Sequence, residues 1–278
     1  MDPFRVIICI CMLTPEQLRQ VKVSVPPFVK DVHILRGTME GTVSARDATP
    51  YDSGQDEGGI WENVSDHCAT GTLITDILSE ALGLSQDDRT ATNLAFWLHD
   101  SGKKTERMWQ IAIEEGLPMD EDGTERMDSR DKSEAKKQAL DVVERMEEWE
   151  NAEAGVSPHI SRLMKANIPS SHRNATIAEK IMWFADACLT GTIIKPIRQR
   201  FDDLESDSRN GERNRAFSEG FRQQYNGKTL YEVQRDLGDK YAQEFAQQLG
   251  ISPSEIFSWL EQRIQERMAD QQLPEFLL

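Results

Sequence analysis

Leu94-Ala95-Phe96-Trp97-Leu98-His99-Asp100-Ser101-Gly102-Lys103-Lys104 is the run whose reading decides the fold. Its apolar first half predicts a buried helix that ends in an adjacent imidazole and carboxylate. A glycine then breaks the helix in front of two lysines. Metal-ligating groups and phosphate-seeking cations are therefore close neighbours, and the run reads as a metal site. With five histidines and 48 acidic residues in the chain, a His-Asp pair arises easily by chance. The surrounding sequence has to decide.

Working upstream, Trp61 to Leu82 predicts a helix with His67, Gly71, Ile74, Leu78 and Leu82 on one face, at steps of three and four. His67 then points inward with the apolar stripe, and Gly71, one turn later, allows another helix to come close. Gly83 stops this helix and Ser85, opposite Asp88, caps the next one, which carries Ala91, Leu94, Ala95 and Leu98 toward the core and ends at His99-Asp100. Two helices bearing candidate ligands are thus joined by a tight turn. Further upstream, Thr14-Pro15-Glu16-Gln17 is a capping box opening a short helix. Residues 25 to 59, rich in Pro, Gly, Ser and Asp, predict irregular loop with one strand near Val32 to Leu35, where His33 reads as a loop histidine.

Working downstream, helix resumes over Met108 to Ile113, an acidic loop spans Gly116 to Asp131, and an amphipathic helix runs from Lys132 to Trp149. Ser157-Pro158 opens a helix containing His159, which reads as a helix-end histidine. His172 follows in a loop. Asn174 is the expected cap of the next helix, with Ile177, Ile181, Ala185 and Cys188 as its stripe. Asp186 stands beside that stripe, and an acid in so apolar a helix is costly to bury without a cation or hydrogen-bond donors. Lys195, Arg198 and Arg200 form a basic cluster that reads either as an anion-binding patch or as surface ion pairs. After the Asn226-Gly227 turn, Leu230, Val233, Leu237, Tyr241, Phe245 and Leu249 mark a long amphipathic helix, and Ser252-Pro253-Ser254-Glu255 caps a last one through Ile256, Leu260 and Ile264.

At 278 residues, 38% of them hydrophobic, the chain can bury a sizeable core. Its net charge of -16 disfavours a nucleic-acid polymer as partner, because phosphate contacts rest on Lys and Arg. Cys9, Cys11, Cys68 and Cys188 match neither a zinc ribbon nor a disulfide framework, so the expected setting is reducing and cytoplasmic. The apolar run Val6 to Leu13 is far shorter than the roughly 20 residues that span a bilayer, and it reads as neither a membrane segment nor a signal peptide.

His67, His99-Asp100 and Asp186, on three separate helices and each on or beside an inward face, form an order that resembles the HD-domain superfamily of metal-dependent phosphohydrolases. The resemblance covers roughly Trp61 to Thr192, with Leu98-His99-Asp100-Ser101-Gly102-Lys103 as the signature-like segment. It implies an all-α bundle in which residues 60–225 form the metal-binding domain, residues 1–59 a mostly irregular N-terminal segment and residues 226–278 a C-terminal helical extension. His67, His99, Asp100 and Asp186 would hold a divalent ion such as Mn, Fe, Co, Ni, Zn or Mg. The ion would acidify a water that attacks phosphorus and polarise the phosphoryl oxygen. Asp100 is also placed to bridge to a second metal, for which His159 and His172 are the remaining histidines; one metal is the default. Lys103, Lys104, His172, Lys195 and Arg198 are the candidate phosphate contacts, and Glu106 a candidate acid or base beside Asp100 and Lys103. The implied substrate is a small phosphate ester, a nucleotide first. The rival readings are a di-iron oxygenase, favoured only if both His159 and His172 bind metal, and a ligand- or partner-binding protein. Self-association stays open.

Overall fold

The computed structural model describes residues 13–24, 26, 29, 64–101, 138, 156–167, 174–208 and 210–274. In chain order these form α1 (Pro15–Val23), α2 (Val64–Ala81), α3 (Gln86–His99), α4 (Pro158–Met164), α5 (Ile177–Ala187), β1 (Leu189–Thr190), β2 (Ile193–Ile194), α6 (Ile197–Ser206), α7 (Gly211–Glu219), α8 (Leu230–Leu249) and α9 (Ile256–Ala269), with 3-10 turns at Lys165–Asn167 and Pro253–Glu255. The expected all-α class holds for these residues apart from one antiparallel hairpin, in which Leu189 faces Ile194 and Thr190 faces Ile193. No helix among them is long and apolar enough to cross a membrane.

α2 is the axis of the fold. The spacing predicts one apolar stripe, but every residue from His67 to Ser79 is buried. Short polar side chains make this affordable by bonding back to the helix: Thr70 donates to the Asp66 carbonyl at 2.9 Å and Thr72 to the Cys68 carbonyl at 2.8 Å. Against α2 pack α1, α3, α5 and α9. Gly83 leaves α2 with a left-handed φ of 72°, and Ser85 caps α3 by accepting from the Asp88 amide at 3.1 Å, as the sequence predicts. Thr14 and Gln17 close the expected box on α1. The cap of α5 is Thr176 and not Asn174, because Glu179 at the third helical position completes a reciprocal box with the threonine.

The terminal segments share the central core. Leu13, Leu18 and Val21 are buried in the same cluster as α2. α8 and α9 lie on α5 and α2: Trp183 meets Tyr241 edge-on at 5.6 Å, Phe184 meets Phe245 at 5.2 Å, and Phe184 stacks on Phe257 at 5.8 Å. The buried face of α8 runs through Tyr231, Arg235, Gly238 and Ala242 as well as Tyr241 and Phe245. Val233, Leu237 and Leu249 of the expected stripe are only half-buried, since Gly238 lets Ile197 of α6 approach on the other side.

Candidate metal centre

Three helices deliver four side chains to one point. His67 comes from the second turn of α2, His99 is the last residue of α3, Asp100 is its C-cap, and Asp186 lies near the end of α5. His67 Nε2 is 3.6 Å from Asp100 Oδ2 and 3.3 Å from Asp186 Oδ1. His99 Nε2 is 3.5 Å from Asp100 Oδ1 and 3.6 Å from Asp186 Oδ1. These spacings are long for hydrogen bonds, and both Nε2 atoms are buried without a hydrogen-bond partner. The structure therefore brings together all four residues that the sequence nominates as ligands, and His67, His99 and Asp100 satisfy the spacing needed to share one ion.

The opposite edge of each imidazole is tied down. His67 Nδ1 donates to the Gly191 carbonyl at 3.0 Å and His99 Nδ1 donates to the Phe96 carbonyl at 2.6 Å. Because a carbonyl can only accept, the Nδ1 atoms carry protons, so each Nε2 is the atom that faces the carboxylates and would bind an ion after losing any proton it holds, the arrangement of metal-ligating histidines. The Phe96 carbonyl is available because it lies in the last turn of α3, where helix carbonyls lose their amide partners. The Gly191 carbonyl was not legible in the sequence. It belongs to the two-residue turn of the hairpin, whose first residue has φ 59° and so calls for glycine. The helix ends one turn before Gly102, since Ser101 closes onto Leu98 through both its amide, at 3.0 Å, and its hydroxyl, at 2.7 Å.

Burial opposes charge on His99, but the carboxylates of Asp100 and Asp186 outweigh it and push the imidazole up to about 9. Burial likewise opposes the Asp186 carboxylate. His67, His99 and Arg200 outweigh that and hold it well below the usual carboxylate range. The set thus has strongly basic donors and ionised acceptors, with orphaned nitrogens facing inward. It fits a divalent ion of the imidazole-and-carboxylate class.

Phe96 sets the spacing of the two histidines. Its ring centroid is 4.4 Å from that of His99 and 5.7 Å from that of His67, and it occupies the notch left by Gly71, where a Cβ would fall 1.9 Å from Cε1. Gly71→Ala should gain helix propensity yet lose about 1–3 kcal/mol net, because a fully buried ring must move. Chemical denaturation reads this loss, and metal titration should show weaker binding as Phe96 shifts the His99 ring. A variant as stable as the parent would mean that the notch is not filled as described.

The other nominated residues separate from this cluster or fall elsewhere. Lys103, Lys104, Glu106 and His172 lie outside the described residues, as do His33, Cys9 and Cys11. His159 Nε2 is 3.3 Å from Asp88 Oδ1, at the start of α3. Eleven residues of helix then separate it from His99, roughly 16 Å of axis, so it is not a ligand here. Lys195 Nζ is 2.8 Å from Asp203 Oδ2, and Arg198 is paired with Asp239. Of the two readings of the basic cluster, ion pairing is the one these two residues adopt, because acidic α6 and α8 supply nearer partners than the centre does. No family model, no curated protein and no solved structure matches the chain.

Proposed function

We propose that this chain is a metal-dependent phosphohydrolase of the HD-domain type, acting on a small phosphate ester and on nucleotides as the first substrate class. The observation that carries the reading is the pair of buried, unpartnered Nε2 atoms of His67 and His99, aimed with their Nδ1 protons already committed at the carboxylates of Asp100 and Asp186. A divalent ion held by these four side chains would acidify a water molecule and polarise a phosphoryl oxygen. The protein's own part is to hold the ligands in one tautomer and to keep three of the four out of solvent. Side-chain exposure is 9% at His67, 1% at His99 and 8% at Asp100, against 27% at Asp186, so among the described residues the cluster opens on the Asp186 side. In this proposal Lys103 and Lys104 bind phosphate and Glu106 moves a proton, as the resemblance implies. His172 contacts substrate or a second ion.

One metal is the proposed complement. The di-iron reading needed both His159 and His172, and His159 is engaged by Asp88. The test is a screen of nucleotides, cyclic dinucleotides and phosphomonoesters against Mn, Co and other divalent ions. Release of phosphate or of a nucleoside is the expected result. Two irons per chain with oxygen uptake and no hydrolysis would overturn it.

A further inference from the structure

Resting on the metal-centre reading, we propose that Arg200 is a further phosphate-binding residue of the site. Lys195 and Arg198, its neighbours in sequence, both end on aspartates. Arg200 does not. Its Nη1 donates to the backbone carbonyl of Asp186 at 2.9 Å, and among the described residues no carboxylate pairs with it. A guanidinium has five N–H donors in a rigid fork, so one of them is used to anchor it and the others remain for an anion.

Position strengthens the case. Asp186 is the most exposed of the four proposed ligands, and Arg200 is fastened to the backbone of that residue, so the cation is tied to the helix turn that carries the least buried ligand. Arg200 is the fourth residue of α6, whose N-cap, Pro196, makes no side-chain cap. Its side chain leans toward that end, where the unbonded amides add partial positive charge. Asp186 is the acid whose charge the half-buried guanidinium feels, and the fork's remaining N–H donors can take a phosphate oxyanion in bidentate geometry beside it. The same chemistry covers the phosphoryl group of an ester and the orthophosphate it releases.

Titration calorimetry with inorganic phosphate tests the assignment on wild type, Arg200→Gln and Arg200→Lys, each with and without Mn and each first titrated with Mn alone. Gln keeps a donor for the Asp186 carbonyl and removes the charge; Lys keeps the charge and loses the fork. The expected result is a roughly 10- to 100-fold weaker phosphate affinity for Arg200→Gln and a partial recovery in Arg200→Lys, with Mn affinity within about threefold of wild type. Equal phosphate affinity in wild type and Arg200→Gln overturns the proposal. So does a loss that merely follows a parallel loss of Mn, or a wild type that binds no phosphate in either state. Mn binding with phosphate indifferent to Arg200 would leave the metal centre standing. Arg200-dependent phosphate binding in a protein that takes up no Mn would do the reverse.

Discussion

Asp76→Ala should cost about 3–5 kcal/mol of folding stability, the loss expected when one partner of a buried ion network is removed. Asp76 is fully buried in α2. Its Oδ1 accepts from Arg89 Nε at 2.5 Å and Asn93 Nδ2 at 2.8 Å, and its Oδ2 accepts from Arg89 Nη2 at 2.8 Å and from Arg267. Thr75 fixes Asn93 by donating to its Oδ1 at 2.8 Å. Two arginines and two carboxylates, Asp76 and Glu80, balance in charge, but Glu80 is 52% exposed at its side chain and cannot compensate both guanidiniums alone. Without Asp76, Arg267 and Arg89 are left with side chains only 8% and 16% exposed. Urea unfolding should register the loss, and melting should fall by roughly 6–20 °C, at about 2–4 °C per kcal/mol for a chain of this size. Replacing all three charges together, as Asp76→Leu with Arg89→Met and Arg267→Met, should recover much of it, because the charge then left without partners is Glu80, whose side chain is 52% exposed and can be solvated. A single-site loss under 1 kcal/mol would show that the network contributes little.

His99→Ala should weaken Mn binding by on the order of 100-fold or more, since even the outer partners of metal ligands typically matter by 10- to 100-fold. The clearest readout is thermal. Mn at 100 times its dissociation constant should stabilise the wild type by about 2.7 kcal/mol and leave the variant unmoved. A variant that kept the full Mn-induced shift would exclude His99 as a ligand. The effect carries a pH signature whose sign follows from the raised imidazole. In metal-free protein the ordinary value of 6.5 rises to about 9, so the stabilisation from the His99 imidazolium is fully present below about 6.5 and is lost as pH rises through about 9. Metal binding runs the other way, because the ion must displace that proton. Mn affinity should therefore climb toward pH 9 by up to about tenfold per pH unit, with proton release on binding near neutrality. An affinity flat from pH 6.5 to 9 would contradict the protonated state of the metal-free site.

The helix starts and stops were legible in the sequence because each depends on residues three or four apart. The boxes at Thr14 and Ser252, the Ser85 and Ser157 caps and the Gly83 exit all formed as predicted. The candidate ligands were legible for a related reason: His67 sits on an apolar helical period, His99-Asp100 ends a buried helix, and Asp186 is an acid in an apolar one. Periodicity alone did not reveal that α2 is buried on every side, because its threonines look polar in sequence and become buriable only once they bond to their own helix.

Partner choice across the fold belongs to the tertiary structure. Asp76 and Arg267 are 191 residues apart, and nothing near either one announces the other. The carbonyl that fixes His67 comes from a hairpin 124 residues downstream and carries no side-chain signal at all. Lys195, Arg198 and Arg200 read alike as a basic run, yet packing of α6 beside α8 and α5 gives the first two carboxylates and the third a backbone oxygen. Local steric and hydrogen-bonding preferences act over one helical turn, and so the sequence alone marked the starts of α1, α3, α4 and α8 and the exit of α2, and nominated the ligands. Which distant charges meet, and which cation is left to face an anion, follow from burial and packing that exist only when the helices are assembled.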